Sequence, residues 1–118
     1  MRLEDLKVYQ VAMDLGELAY NTSKNWSYFD KRTLGEQYVR AADSIAANIS
    51  EGYGRYSFKE TRVFLYYARG SAHETKTWFT KANQRGLLEK AEIEQLTNKI
   101  ELCIALLNGF IKSIGKIP

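Results

Sequence analysis

An all-α fold, an antiparallel up-and-down four-helix bundle, is what this sequence predicts, and three observations predict it. Apolar residues recur at steps of three and four through four blocks, the stretches between blocks are short, and chain breakers are scarce, with 8 glycines and 1 proline in 118 residues. Many-stranded sandwiches and barrels need more turn residues than that. Four amphipathic helices on short connections bury their stripes most economically as antiparallel neighbours. At 45% hydrophobic and 26% charged residues the composition suits one globular domain over residues 1–118, and it excludes the disordered class.

The first block covers residues 5–22, where Leu6, Tyr9, Met13, Gly16 and Tyr20 share one face at about 100° per residue. Residues 21–32 break the pattern. The second block, 33–51, steps through Leu34, Tyr38, Ala41, Ile45 and Ile49 and ends at Gly52-Tyr53-Gly54, where a left-handed glycine would stop a helix. Ser57 and Glu60 have the S-x-x-E spacing of a capping box, so the third helix is expected from Phe58. It carries Thr61, Leu65, Ala68, Ala72, Thr75, Phe79 and Ala82 toward the core and stops at Gly86. The fourth block, 89–113, runs through Ile93, Leu96, Ile100, Cys103, Leu107, Phe110 and, just beyond it, Ile114.

A second apolar row on the third block, Phe64, Tyr67, Ser71 and Trp78, widens its stripe, and Ile104 and Ile111 do the same on the fourth. Such aromatics suit the centre of a subunit contact, so Phe64, Tyr67 and Trp78 are candidate oligomer residues and self-association is expected. Filling a monomer's own core is the other use of that width. Ala68, Gly70 and Ala72 allow close helix approach.

The net charge of +3 is unevenly spread: −2 over residues 1–54, +5 over 55–86 and zero over 87–118. Arg62, Arg69 and Lys76 recur every seven residues, and Arg55, Lys59, Tyr66 and His73 fall in the same register. This rim is a candidate contact for RNA, DNA or another anion, because cations neutralise phosphates and planar side chains stack on bases. Solvation, or salt bridges to a neighbouring subunit or protein partner, is the alternative use of the same row.

Enzyme chemistry has little to stand on. His73 has no carboxylate on its own helix face to orient it, and a lone Cys103 sits in an apolar stripe. Neither cysteine-based zinc spacing nor a phosphate-loop signature occurs, so no cofactor or metal is expected. Glu36, Asp43 and Glu51 are spread over more than two helical turns. Asn48 lies beside Ile49 on the inward side, where its amide is expected to bond a neighbouring helix or the loop of Gly52 to Arg55. Glu51, Gly52 and Gly54 join it as structural candidates, with Glu51 able to pair with Arg55 or to cap the next helix. No secretory leader or membrane-length apolar window is present, which makes cytoplasm the expected location and a membrane partner unexpected.

These residues also carry a resemblance. LEDL at 3–6, Tyr9-Gln10, LGEQYVRAA at 34–42, SIAANISEGYGR at 44–55, Lys59-Glu60, Phe64-Leu65 and ARGSAHE at 68–74 together resemble the 23S ribosomal RNA intervening-sequence proteins over about residues 3–88. The resemblance implies a four-helix protein, often a homopentamer, whose gene in some bacteria lies in an insertion within the large ribosomal RNA gene. It implies no catalytic activity and no metal site. More distantly, the chain is similar to the accessory proteins of diversity-generating retroelements, which form basic pentameric barrels that bind nucleic acid and a reverse transcriptase. The sequence departs from the family pattern at Ala46, where proline often follows Ser-Ile, at Tyr9, often tryptophan, and around Phe29-Asp30, where Phe-Pro is common.

Overall fold

A computed structural model describes residues 2–115. Helices α1 (Lys7–Ser23), α2 (Tyr28–Asp30), α3 (Glu36–Tyr53), α4 (Phe58–Gln84) and α5 (Lys90–Ser113) follow a 3-10 turn at Leu3–Asp5, and no strand occurs among the described residues. A π-helical segment, Lys31–Gly35, joins α2 to α3 without a break. The four long helices pack in a ring, α1 on α3, α3 on α4, α4 on α5 and α5 on α1.

The second long helix begins earlier than its apolar period. Ser27 caps it, its hydroxyl accepting from the Asp30 backbone N–H at 3.1 Å, so part of the expected break is already helical. Tyr28 and Phe29 point outward, so this turn carries no buried stripe. Trp26, just before it, stacks on Tyr38 with ring centroids 6.1 Å apart and donates from Nε1 to the Leu87 carbonyl at 3.1 Å. One indole thus ties the end of α1 to the turn that leads into α5.

In α1 the expected face is displaced. Val8, Val11, Ala12, Leu15 and Ala19 are buried, whereas Met13 and Tyr20 are about half exposed and Tyr9 lies between. Both rows step by three and four, so periodicity supports either. What separates them is Gly16, which faces α3 so closely that a β-carbon there would stand 2.6 Å from Asp43 Oδ1. The small and branched row turns to the core, and the bulkier Tyr9, Met13 and Tyr20 lie along the α1–α3 edge.

The other stripes fall where their spacing puts them. Leu34, Tyr38, Ala41, Ile45 and Ile49 are buried, as are all seven expected residues of α4. Leu96, Ile100, Cys103 and Leu107 are buried in α5, with Ile93, Phe110 and Ile114 packed against them. The Ser57 hydroxyl accepts from the Glu60 N–H at 3.2 Å and starts α4 at Phe58, while Gly86, at φ 71°, ends the helix as the Leu87 N–H returns to the Ala82 carbonyl.

The end of α3 differs from expectation. It runs to Tyr53, and Gly54 has φ −80°, so neither Gly52 nor Gly54 uses a left-handed conformation. Gly52 answers a packing need instead: a β-carbon there would meet Phe64 Cβ at 3.0 Å and the Thr61 carbonyl at 3.1 Å. Thr61 Oγ1 donates to the Gly52 carbonyl at 2.8 Å across the same approach.

Candidate functional site

The basic row of α4 lies along its α5 side, and three of its members, Arg62, Arg69 and Lys76, have contacts there. Arg62 donates to the Ile114 carbonyl at 2.8 Å and so satisfies a C-terminal group of α5. One turn pair on, Arg69 donates to Asn108 Oδ1 at 2.9 Å and lies 5.2 Å from the centre of the Tyr66 ring. Lys76 pairs with Glu101 at 2.8 Å. The heptad spacing on α4 is answered by Glu101, Asn108 and Ile114 on α5.

These contacts differ in what they leave behind. The Lys76 charge is matched by a carboxylate, and Arg55 pairs with Glu51 while lying 4.5 Å over the Phe64 ring. Arg62 and Arg69, by contrast, are fixed by neutral oxygens, which orient a guanidinium without cancelling its charge. Lys59 makes no hydrogen bond or ion pair among the described residues, and His73 is exposed.

The expected oligomer residues lie on the other side of α4. Phe64 and Tyr67 meet edge to face with centroids 5.5 Å apart, and Tyr67 is 56% exposed. Trp78 is half-buried against the core, and its Nε1 has no hydrogen-bond partner among the described residues. Ser71, in the same row, accepts a 2.6 Å hydrogen bond from the Ser44 hydroxyl. That bond takes the part expected of Asn48, which is only half-buried and donates to the Ser44 carbonyl of its own helix at 2.9 Å. Gly70 faces outward, and a β-carbon added there would meet nothing within 4 Å, so it serves no close approach.

Burial pushes the Cys103 thiol up to about 12, which leaves it protonated and a poor nucleophile. Glu36, Asp43 and Glu51 do not converge: Glu36 pairs with Arg32, Glu51 with Arg55, and Asp43 faces Gly16. No group of three metal-ligating side chains occurs among the described residues, and none of their helices is long and apolar enough to cross a membrane.

Against known families, residues 4–109 match the model of the 23S rRNA-intervening sequence protein. The chain belongs to this family. A crystal structure from Bacteroides thetaiotaomicron VPI-5482, described as a protein with unknown function from the S23 ribosomal protein family, has the same fold at 21% identity. Its TM-score is 0.74, covering 90% of this chain and 99% of that one. No curated protein matches.

In this intervening-sequence protein the edge holds two cations that lie outside the heptad row of α4. Lys112 of α5 shares with Arg69 and Asn108 a shallow cavity of about 500 Å³, and Lys81 lines another of about 400 Å³ with His73 and Lys76. The signal for Lys112 was present on the partner helix, where Glu101, Asn108 and Lys112 step by seven and four.

Proposed function

We propose that this chain is a non-catalytic, self-associating helical bundle of the cytoplasm whose α4–α5 edge binds a polyanion, single-stranded nucleic acid being the fitting class. The observation that carries this is the pair Arg62 and Arg69, positioned by a carbonyl and an amide oxygen and without an ion pair to a carboxylate among the described residues. Lys112 and Lys81 add charge, and Tyr66 and His73 add planar surfaces. Five copies, the number the family resemblance implies, would repeat a weak edge into an avid one. An interaction module without nucleic-acid binding is the second reading, favoured by the Lys76–Glu101 and Arg55–Glu51 pairs, which spend cations within the chain.

A salt titration of a fluorescent single-stranded RNA tests the first reading. Each phosphate neutralised contributes about −0.7 to the slope of log K against log salt. Replacing Arg62 and Arg69 by glutamine should reduce the slope by about 1.4 with helical circular dichroism unchanged, whereas Lys76→Gln should alter it far less. No binding by wild type at low salt, or equal slopes for wild type and the double variant, would refute the edge as a nucleic-acid site.

A further inference from the structure

The groove between α1 and α3 carries charge that the fold leaves unanswered. It is lined by Gly16 and Ala47 together with Tyr9 and Met13, and its volume is about 360 Å³. Asp43 stands over Gly16 with Glu17 beside it, and neither carboxylate forms a hydrogen bond or ion pair among the described residues. Burial, then the nearby Glu17 charge, holds the Asp43 carboxyl above its usual range. Other carboxylates on these two helices are matched: Asp14 with Lys99, Glu36 with Arg32 and Glu51 with Arg55.

The complementary surface is on the same chain. Lys59, Val63 and Tyr67 step by four along α4, all exposed, and Lys59 has no partner among the described residues. From 59 to 67 the strip spans eight residues, about 12 Å of helix, the same rise that separates Tyr9 from Glu17 on α1. The parent regions differ in sign, −2 for residues 1–54 and +5 for 55–86.

We infer that the α1–α3 groove receives the strip of Lys59, Val63 and Tyr67 from a second copy, head to tail, with the Lys59 ammonium against the carboxylates of Asp43 and Glu17. This rests on the self-association proposed above and names its two surfaces. Groove and strip lie on different faces of the bundle, so the contact is heterologous and each copy offers one surface of each kind to its neighbours. Lys59 then belongs to the subunit contact, and Arg62, Tyr66, Arg69 and His73 remain outside it.

The test uses two variants, each spoiled on one surface: Asp43→Lys with Ala47→Arg in the groove, and Lys59→Glu with Val63→Glu on the strip. All four positions are exposed and receive residues compatible with helix, and circular dichroism checks the fold. By sedimentation equilibrium each variant alone should fall to the 13.6 kDa monomer, and an equimolar mixture should form a dimer of twice that mass through its one intact contact. A single chain carrying Glu17→Lys, Asp43→Lys and Lys59→Asp should associate again, since both carboxylates and the ammonium they face are then exchanged. Variants that keep the wild-type mass, a mixture that stays monomeric, or a spoiled variant that dimerises alone would each overturn the assignment while leaving self-association intact. Wild type at 13.6 kDa at every concentration would instead overturn self-association itself.

Discussion

Helix α4 has two seams built by different means. Toward α3 the backbones come close: Gly52 admits Phe64 and the Thr61 carbonyl, and short hydroxyls bond across at Thr61 and at Ser44 with Ser71. Toward α5 the core beneath is bulky, with Leu96, Ile100 and Leu107, and long cations reach over it to Ile114, Asn108 and Glu101. A seam of small residues excludes water and tolerates no added atoms. The cationic seam stays wet, contributes less to stability, and keeps charge where another molecule can meet it.

The largest break of this contrast is Gly52→Val, which adds γ-carbons where a β-carbon alone would already stand 3.0 Å from Phe64 Cβ and 3.1 Å from the Thr61 carbonyl. It should cost about 1–3 kcal/mol by overpacking, read as a lower midpoint in denaturant melts at unchanged slope. Gly70 is the control on the facing helix. Its side-chain position is open, so Gly70→Ala should gain about 0.5–1 kcal/mol from helix propensity in the same assay. The smallest effect belongs to the other seam: Lys76→Gln removes an ion pair whose partners are 50% and 55% exposed and should cost less than about 1 kcal/mol, shrinking further in high salt. A Lys76→Gln loss as large as that of Gly52→Val would erase the distinction between the seams.

Much of the fold was legible because α3, α4 and α5 each carry one dominant apolar row, which in α4 and α5 a neighbouring row widens without competing for the core. Thr61 to Ala82 could be read as the buried stripe of α4 without knowing its neighbours. In α1 two apolar rows compete, and the choice between Leu15 and Met13 is made by the approach of α3 across Gly16, a tertiary fact. The early start at Ser27 was legible in principle, since Ser27 and Asp30 have capping spacing, but the exposed Tyr28 and Phe29 carry no buried period.

Of the candidate edge, the register of Arg62, Arg69 and Lys76 was visible in the sequence, and their partners were not. Whether a cation meets a carboxylate or a neutral oxygen depends on which residue α5 brings opposite, and that is set by the relative height of two helices. Asn48 shows the same limit: its position suggested a cross-helix bond, yet it is the hydroxyl of Ser44, one turn earlier, that bonds Ser71.

Cys103 gives the bundle a clock. Its sulfur is enclosed by the core and held protonated, so an alkylating reagent reaches it when α5 lifts from its neighbours and not before. The rate of that single modification counts openings of the folded state, and a molecule with one thiol reports them without interference from a second.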